Sequence, residues 1–184
     1  MNGKTLLAEA IEMKDEIVEN RRAIHRAPEV GAHLPQTVQF VEERLRSLGY
    51  EPRELGGGVV AELTGEDTGR CILLRADMDA LRVREKTDLP FRSENGSMHA
   101  CGHDMHAAML LGAARLLKAH QSELKGTVKL VFQPDEEGFT GLRGDKLVGE
   151  AEAVTVVPPE PGRFDAAEPG FAGNNHPLAT GRAD

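Results

Sequence analysis

Only two cysteines occur in the 184 residues, Cys71 in an apolar run and Cys101 in a histidine-rich turn. Such a pair offers no disulfide framework, so a reducing cytoplasm is the expected setting. Basic residues are also in short supply. Against 30 Asp and Glu there are 22 Lys and Arg, a formal charge of −8, which is the wrong sign for binding nucleic acid or an anionic membrane. No apolar run approaches the length that spans a bilayer. The first twenty residues are charged throughout and lack a secretory apolar core. Gly56-Gly57-Gly58 has neither the Lys-Ser/Thr nor the following helix of a phosphate-binding loop. There is no serine nucleophile elbow and no internal repeat. The composition, 40% hydrophobic and 28% charged, is that of a globular chain with enough length to bury the core of one ordinary domain.

Apolar residues at helical spacing (Leu7, Ala10, Ile11, Ile17, Val18, Ile24) predict one helix over 4–26, stopped by Pro28. A second helix is expected over 36–48, with Gly49 as its stop. Residues 59–63 and 71–76 read as strands joined by a hairpin-like link at 65–69. Ile72-Leu73-Leu74 is apolar on consecutive positions, which predicts a strand buried on both faces. Helix is expected again over 104–120 and strand over 127–132. This order is that of an α/β sheet with its polar groups at the C-terminal edge of the strands. After Glu150 the pattern changes. Residues 151–184 hold five prolines and no clear period, so they read as a linker or disordered tail.

The chemistry gathers in His99-Ala100-Cys101-Gly102-His103-Asp104-Met105-His106, with Glu136-Glu137 downstream. Thiol, imidazole and carboxylate on a short turn suit a divalent metal of soft or borderline character. Cys101 and His103, relaxed by Gly102, can reach one ion or bridge two; a buried thiol beside a capping histidine is an equal reading. Asp104 is placed to cap the following helix as readily as to bind metal. His99 and His106 are read as supporting donors or oxyanion stabilisers, against a plain structural role. Of Glu136 and Glu137, one carboxylate can bind metal while its neighbour moves a proton from water to a leaving amine. Asp77 and Asp79 point to the same side of an extended chain. One of them can orient a metal ligand from behind, or cap a turn.

Four segments, taken in order, resemble the metallo-amidohydrolases. They are Arg22-Ala23-Ile24-His25-Arg26-Ala27-Pro28-Glu29, Arg75-Ala76-Asp77-Met78-Asp79-Ala80-Leu81, the segment from Met98 to His106, and Val131-Phe132-Gln133-Pro134-Asp135-Glu136-Glu137-Gly138. That family includes hippurate hydrolase, N-acyl-amino-acid amidohydrolases and plant auxin-conjugate hydrolases, relatives of aminoacylase and the dimetal carboxypeptidases. The resemblance implies an α/β, three-layer catalytic domain, here incomplete, over residues 1–150. It makes Cys101, His103 and Glu137 metal ligands, Glu136 the general acid/base, and Asp79 a support of the metal centre. It also implies two divalent ions such as zinc or manganese, and hydrolysis of the amide bond of a small N-acyl amino acid by metal-activated water.

The family's proteins are longer. They continue with a further histidine ligand, a dimerisation domain and a final histidine ligand, whereas no likeness is found here from Ala151 onward. His176 stands in the wrong context to be accepted as the absent ligand. The resemblance therefore predicts a truncated or frame-shifted form, with weak metal binding and little hydrolysis by itself. Two other readings compete. One is a non-catalytic metal-binding or interaction module; the other is a Cys-His hydrolase with Cys101 as nucleophile.

Overall fold

The computed structural model describes residues 3–138. The expected boundary at 150, the tail over 151–184 and His176 lie outside the described residues. Helix α1 (Gly3–Glu12) and helix α2 (Lys14–Arg26) replace the single helix expected there. The break is one residue wide at Met13, and hydrogen bonds still cross it, from Met13 N to Glu9 O and from Ile17 N to Met13 O. The two segments differ in what they bury. Helix α1 buries no residue, whereas α2 turns Asn20, Ile24 and His25 inward. Ala27 leaves the helical region, as the residue before a proline is pressed to do.

Helix α3 (Pro35–Ser47) starts with proline in its first turn, where no backbone N–H is missed. Gly49, at φ 82°, then reverses the chain. Strands β1 (Arg53–Leu55), β2 (Gly58–Thr64), β3 (Glu66–Asp77) and β4 (Lys125–Gln133) form one sheet in the order β1-β2-β4-β3. Helix α4 (His103–Ala119) lies in the connection between β3 and β4.

Two expectations fail here, for related reasons. The link at 65–69 is not a hairpin, because β4 lies between β2 and β3. Strand β2 runs antiparallel to β4, from Val59 opposite Phe132 to Thr64 opposite Thr127. Strand β3 runs parallel to β4, from Cys71 beside Thr127 to Asp77 beside Gln133, and a parallel pair needs a crossover such as α4. The second failure concerns burial of β3 on both faces. Ile72 is 56% exposed and Leu73 and Leu74 are half-buried, since β3 is the outer strand of the sheet among the described residues.

One face of the sheet carries the core. Val59, Ala61 and Leu63 of β2 stand opposite Phe132, Leu130 and Val128 of β4. These residues form one buried cluster with Val41 and Leu45 of α3 and Ala107, Leu111 and Ala114 of α4. Full burial of each larger aliphatic side chain is worth about 1.5–3 kcal/mol. The parallel pairing has a functional consequence. Asp77 and Gln133 end their strands side by side, so the segments that follow β3 and β4 leave the sheet at one edge, where α/β sheets hold their ligands.

Candidate metal centre

The site is assembled from three chain segments that meet at that edge. Directly after β3, Met78 N donates to Gln133 O at 2.8 Å, which locks the strand ends together. Asp79 follows, with 1% of its surface exposed. The second segment is the turn before α4. Gly102 sits at φ 94° in the left-handed region, which costs glycine little, and its carbonyl accepts from Met105 N and His106 N. The helix thus begins at His103, which is buried at 2% exposure. The third segment is the turn after β4. Asp135 adopts φ 56°, a conformation short polar side chains tolerate, and the chain then presents Glu136 and Glu137.

His103 connects the segments. Its Nδ1 lies 2.9 Å from the Asp79 backbone oxygen and 3.3 Å from Asp79 Oδ1. The other carboxylate oxygen, Oδ2, accepts from Glu137 N at 3.1 Å. Asp79 therefore holds both the imidazole and the backbone of the acidic turn. With Nδ1 committed, His103 offers only Nε2 to a metal.

A sulfur from Cys101, an imidazole nitrogen of His103 and a carboxylate oxygen of Glu137 lie within 4.8 Å of one another. The three donors fit a divalent ion, since their spacing is that of neighbours in one coordination shell and their chemistry is mixed S, N and O. Glu136 stays outside this triad. Its side chain is 40% exposed and its Oε2 stands 3.7 Å from His103 Nε2. A second group, Asp77, His103 and His106, has the same compactness. It is a poorer holder, because Asp77 already faces the Arg75 guanidinium at 2.8 Å and His103 has one nitrogen to give.

The electrostatics follow from these contacts. The Asp79 side chain and backbone oxygen, together with the nearby Asp77, raise the His103 pKa to about 9, against the cost of burial. Burial pushes the Asp79 carboxyl up, but the His103 hydrogen bond and the Glu137 and Glu136 amides outweigh it and leave the group lowered. A hydrogen bond to Glu137 raises the Cys101 thiol, helped by desolvation and by the charges of Glu137, Glu136 and Asp77. Without metal, then, the thiol keeps its proton in a hydrogen bond to Glu137, and His103 is cationic at neutral pH. Metal binding must displace both protons.

The remaining candidates take other places. Asp104 lies in the first turn of α4 but Gly102 occupies the cap position, and its Oδ2 is taken by His25 and Arg21. His106 is 45% exposed in its side chain, 3.5 Å from Asp77 Oδ2, and its ring stacks on His103 at 5.4 Å between centroids. His99 is 4% exposed. Burial lowers its pKa to about 4, and neither ring nitrogen has a hydrogen-bond partner among the described residues. The importance of His25 was not legible beyond its presence in the first family-like segment, because its partners are 60 and 79 residues away.

The strand ends of this sheet bring together a Cys-His-Glu group of a kind able to hold a metal ion, and the class of protein follows from kinship. The model of peptidase family M20/M25/M40 matches residues 73–169, so the family likeness runs past Ala151, where none was expected; the chain belongs to that family, whose members are hydrolases. N-acetyl-L-cysteine deacetylase of Bacillus subtilis is 46% identical over 148 residues, covering 79% of this chain and 36% of its own length. Thermostable carboxypeptidase 1 of Saccharolobus solfataricus is 47% identical over 150 residues, covering 79% of this chain and 38% of its own. Among solved structures, the YXEP protein of Bacillus subtilis, a dinuclear metal binding peptidase, superposes with a TM-score of 0.71 at 40% identity. That superposition covers 76% of this chain and 40% of that one. The chain thus spans well under half the length of the relatives it matches.

Proposed function

We propose that Cys101, His103 and Glu137 ligate a divalent metal ion such as zinc or manganese. With it, the intact catalytic unit hydrolyses the amide bond of small N-acyl amino acids in the cytoplasm. The observation that carries this reading is the convergence of the three donors within 4.8 Å, with His103 Nδ1 held by Asp79. The kinship with a deacetylase of an N-acetyl amino acid supports the substrate class.

A bound divalent ion supplies Lewis acidity to the scissile carbonyl and acidifies a water molecule. Glu136, free of the donor set and partly exposed, takes a proton from the attacking water and returns it to the leaving nitrogen. Asp79 fixes the tautomer of His103, leaving Nε2 as the nitrogen that would be offered to a metal ion. The Glu137 amide, bound to Asp79 Oδ2, keeps the acidic turn against the site.

Titration with Co2+ tests the donor set. Binding is expected to produce a thiolate-to-cobalt absorption band that Cys101→Ser abolishes; a wild-type chain with no such band overturns the assignment of Cys101. Release of free amino acid from N-acetyl amino acids tests the reaction. Loss of turnover in Glu136→Gln with metal content unchanged is the expected result. Metal binding without any hydrolysis by the intact catalytic unit, as distinct from this chain alone, would favour the alternative of a metal-binding module.

A further inference from the structure

Behind the donor set lies a second cluster of buried charge that the hydrolytic reading does not use. His25 of α2 is 2% exposed and meets a carboxylate at each ring nitrogen. Nδ1 lies 2.7 Å from Asp104 Oδ2, and Nε2 lies 3.2 Å from Glu85 Oε1. Both carboxylate side chains are completely buried. Arg21, one turn earlier on α2, places Nε 2.7 Å from the same Asp104 oxygen. Its guanidinium also comes within 3.3 Å of His25 Nδ1. That nitrogen cannot accept from Arg21 while donating to Asp104, and the shorter contact to a charged oxygen is the stronger one. The Phe91 ring closes one side, edge-to-face with His25 at 5.6 Å.

The cluster ties three parts of the chain together. Glu85 belongs to the irregular stretch after β3 and shapes it by accepting from Ser93 N at 2.7 Å and from the Thr87 hydroxyl. Asp104 is the residue next to His103. Removing His25 would leave the buried carboxylates of Asp104 and Glu85 without the ring that bridges them. Such a loss is expensive, because buried charges need partners.

We infer that His25 is a positioning residue for the metal centre, holding Asp104 and with it the first turn of α4 so that His103 Nε2 keeps its direction toward Cys101 and Glu137. The inference rests on the proposed metal-ligand role of His103. The two ring nitrogens make different predictions. Asparagine places its amide near the position of Nδ1 and can still donate to Asp104, whereas glutamine reaches toward the position of Nε2 and Glu85. If the route to His103 runs through Asp104, His25→Asn retains metal affinity better than His25→Gln, and His25→Ala is the worst of the three.

The experiment is Co2+ titration of the full chain, followed by the thiolate band, with thermal melting of each metal-free variant. The expected result is an affinity about 10- to 100-fold weaker for His25→Ala, a shifted band, and partial recovery in His25→Asn only. Leu45→Ala, a fully buried α3 residue away from the site, serves as control. It should lower the melting temperature yet leave Co2+ affinity unchanged. Wild-type affinity and spectrum in His25→Ala, or equal losses in His25→Asn and His25→Gln, would overturn the inference. If His25→Ala does not fold, the Asn and Gln variants, which keep a buried donor, carry the comparison. Absence of the band in the wild-type chain overturns the metal-ligand reading itself, a separate result from unchanged binding in the variants.

Discussion

His103 Nδ1 donates to the backbone oxygen of Asp79 at 2.9 Å and lies 3.3 Å from that residue's own carboxylate. This contact joins the first residue of α4 to the segment that leaves β3. It sets the imidazole's direction and its charge at once.

Replacing Asp79 by asparagine separates those two effects. Asp79→Asn keeps the backbone acceptor but removes the charge, so the His103 pKa is expected to fall from about 9 toward the ordinary 6.5. Imidazole proton shifts followed by NMR against pH report it directly. Compared at a pH where His103 has lost its proton in both chains, Co2+ affinity should weaken about 10- to 100-fold, as when other partners of metal ligands are removed. An unchanged titration would show that the backbone contact alone sets the pKa.

The raised His103 pKa also makes the stability of the metal-free chain depend on pH. A histidine that titrates at about 9 when folded and near 6.5 when unfolded stabilises the fold fully below pH 6.5. That contribution is lost as pH rises from 6.5 through 9. Urea unfolding across this window is expected to show falling stability in the wild type and a flatter profile in Asp79→Asn. Metal affinity should move the opposite way, tightening with pH as His103 and Cys101 release their protons.

Glu29 caps α3 from a distance. Leu34, at the cap position, makes no side-chain bond to the helix. The Glu29 carboxylate instead accepts from Thr37 N at 2.8 Å, Thr37 Oγ1 at 2.9 Å and Gln36 N at 3.2 Å. Glu29→Ala is expected to cost about 1 kcal/mol, as loss of a helix cap does. Chemical denaturation measures it. No loss would mean that water satisfies those amides equally well.

Gly126 permits the close approach that starts β4. It adopts φ 114°, and a Cβ there would meet the Arg70 carbonyl oxygen at 2.4 Å. The neighbouring β3–β4 pairing is irregular between Glu66 and Cys71. Gly126→Ala is expected to destabilise the chain by more than about 1 kcal/mol, because backbone must move to admit the methyl. A melting temperature equal to wild type would refute the need for glycine.

Much of the fold was legible locally. Helices α3 and α4 and strands β2 and β4 fall within two residues of their expected bounds, since each is marked by its own local run of apolar residues. Strand β3 was recognised as a strand, but its extension to Glu66 and its exposed Ile72 were not. Apolar side chains in a row say that a strand is favourable, and they do not say which neighbours will cover it. The site shows the same division. Cys101 and His103 share a turn, so their proximity is local, whereas the approach of Glu137 depends on β4 pairing in parallel with β3.

The sequence by itself determined the inventory: the donor types, the turn that carries two of them, and the segments that make this chain an M20 family member. Family likeness already pointed to Asp79; only the tertiary structure decided that it meets His103 at Nδ1, that Arg75 occupies Asp77, and that His25 spans Asp104 and Glu85. Residue type and short spacing are written along the chain. Partnership between residues far apart depends on strand order and helix crossing, which the packing of the shared core selects.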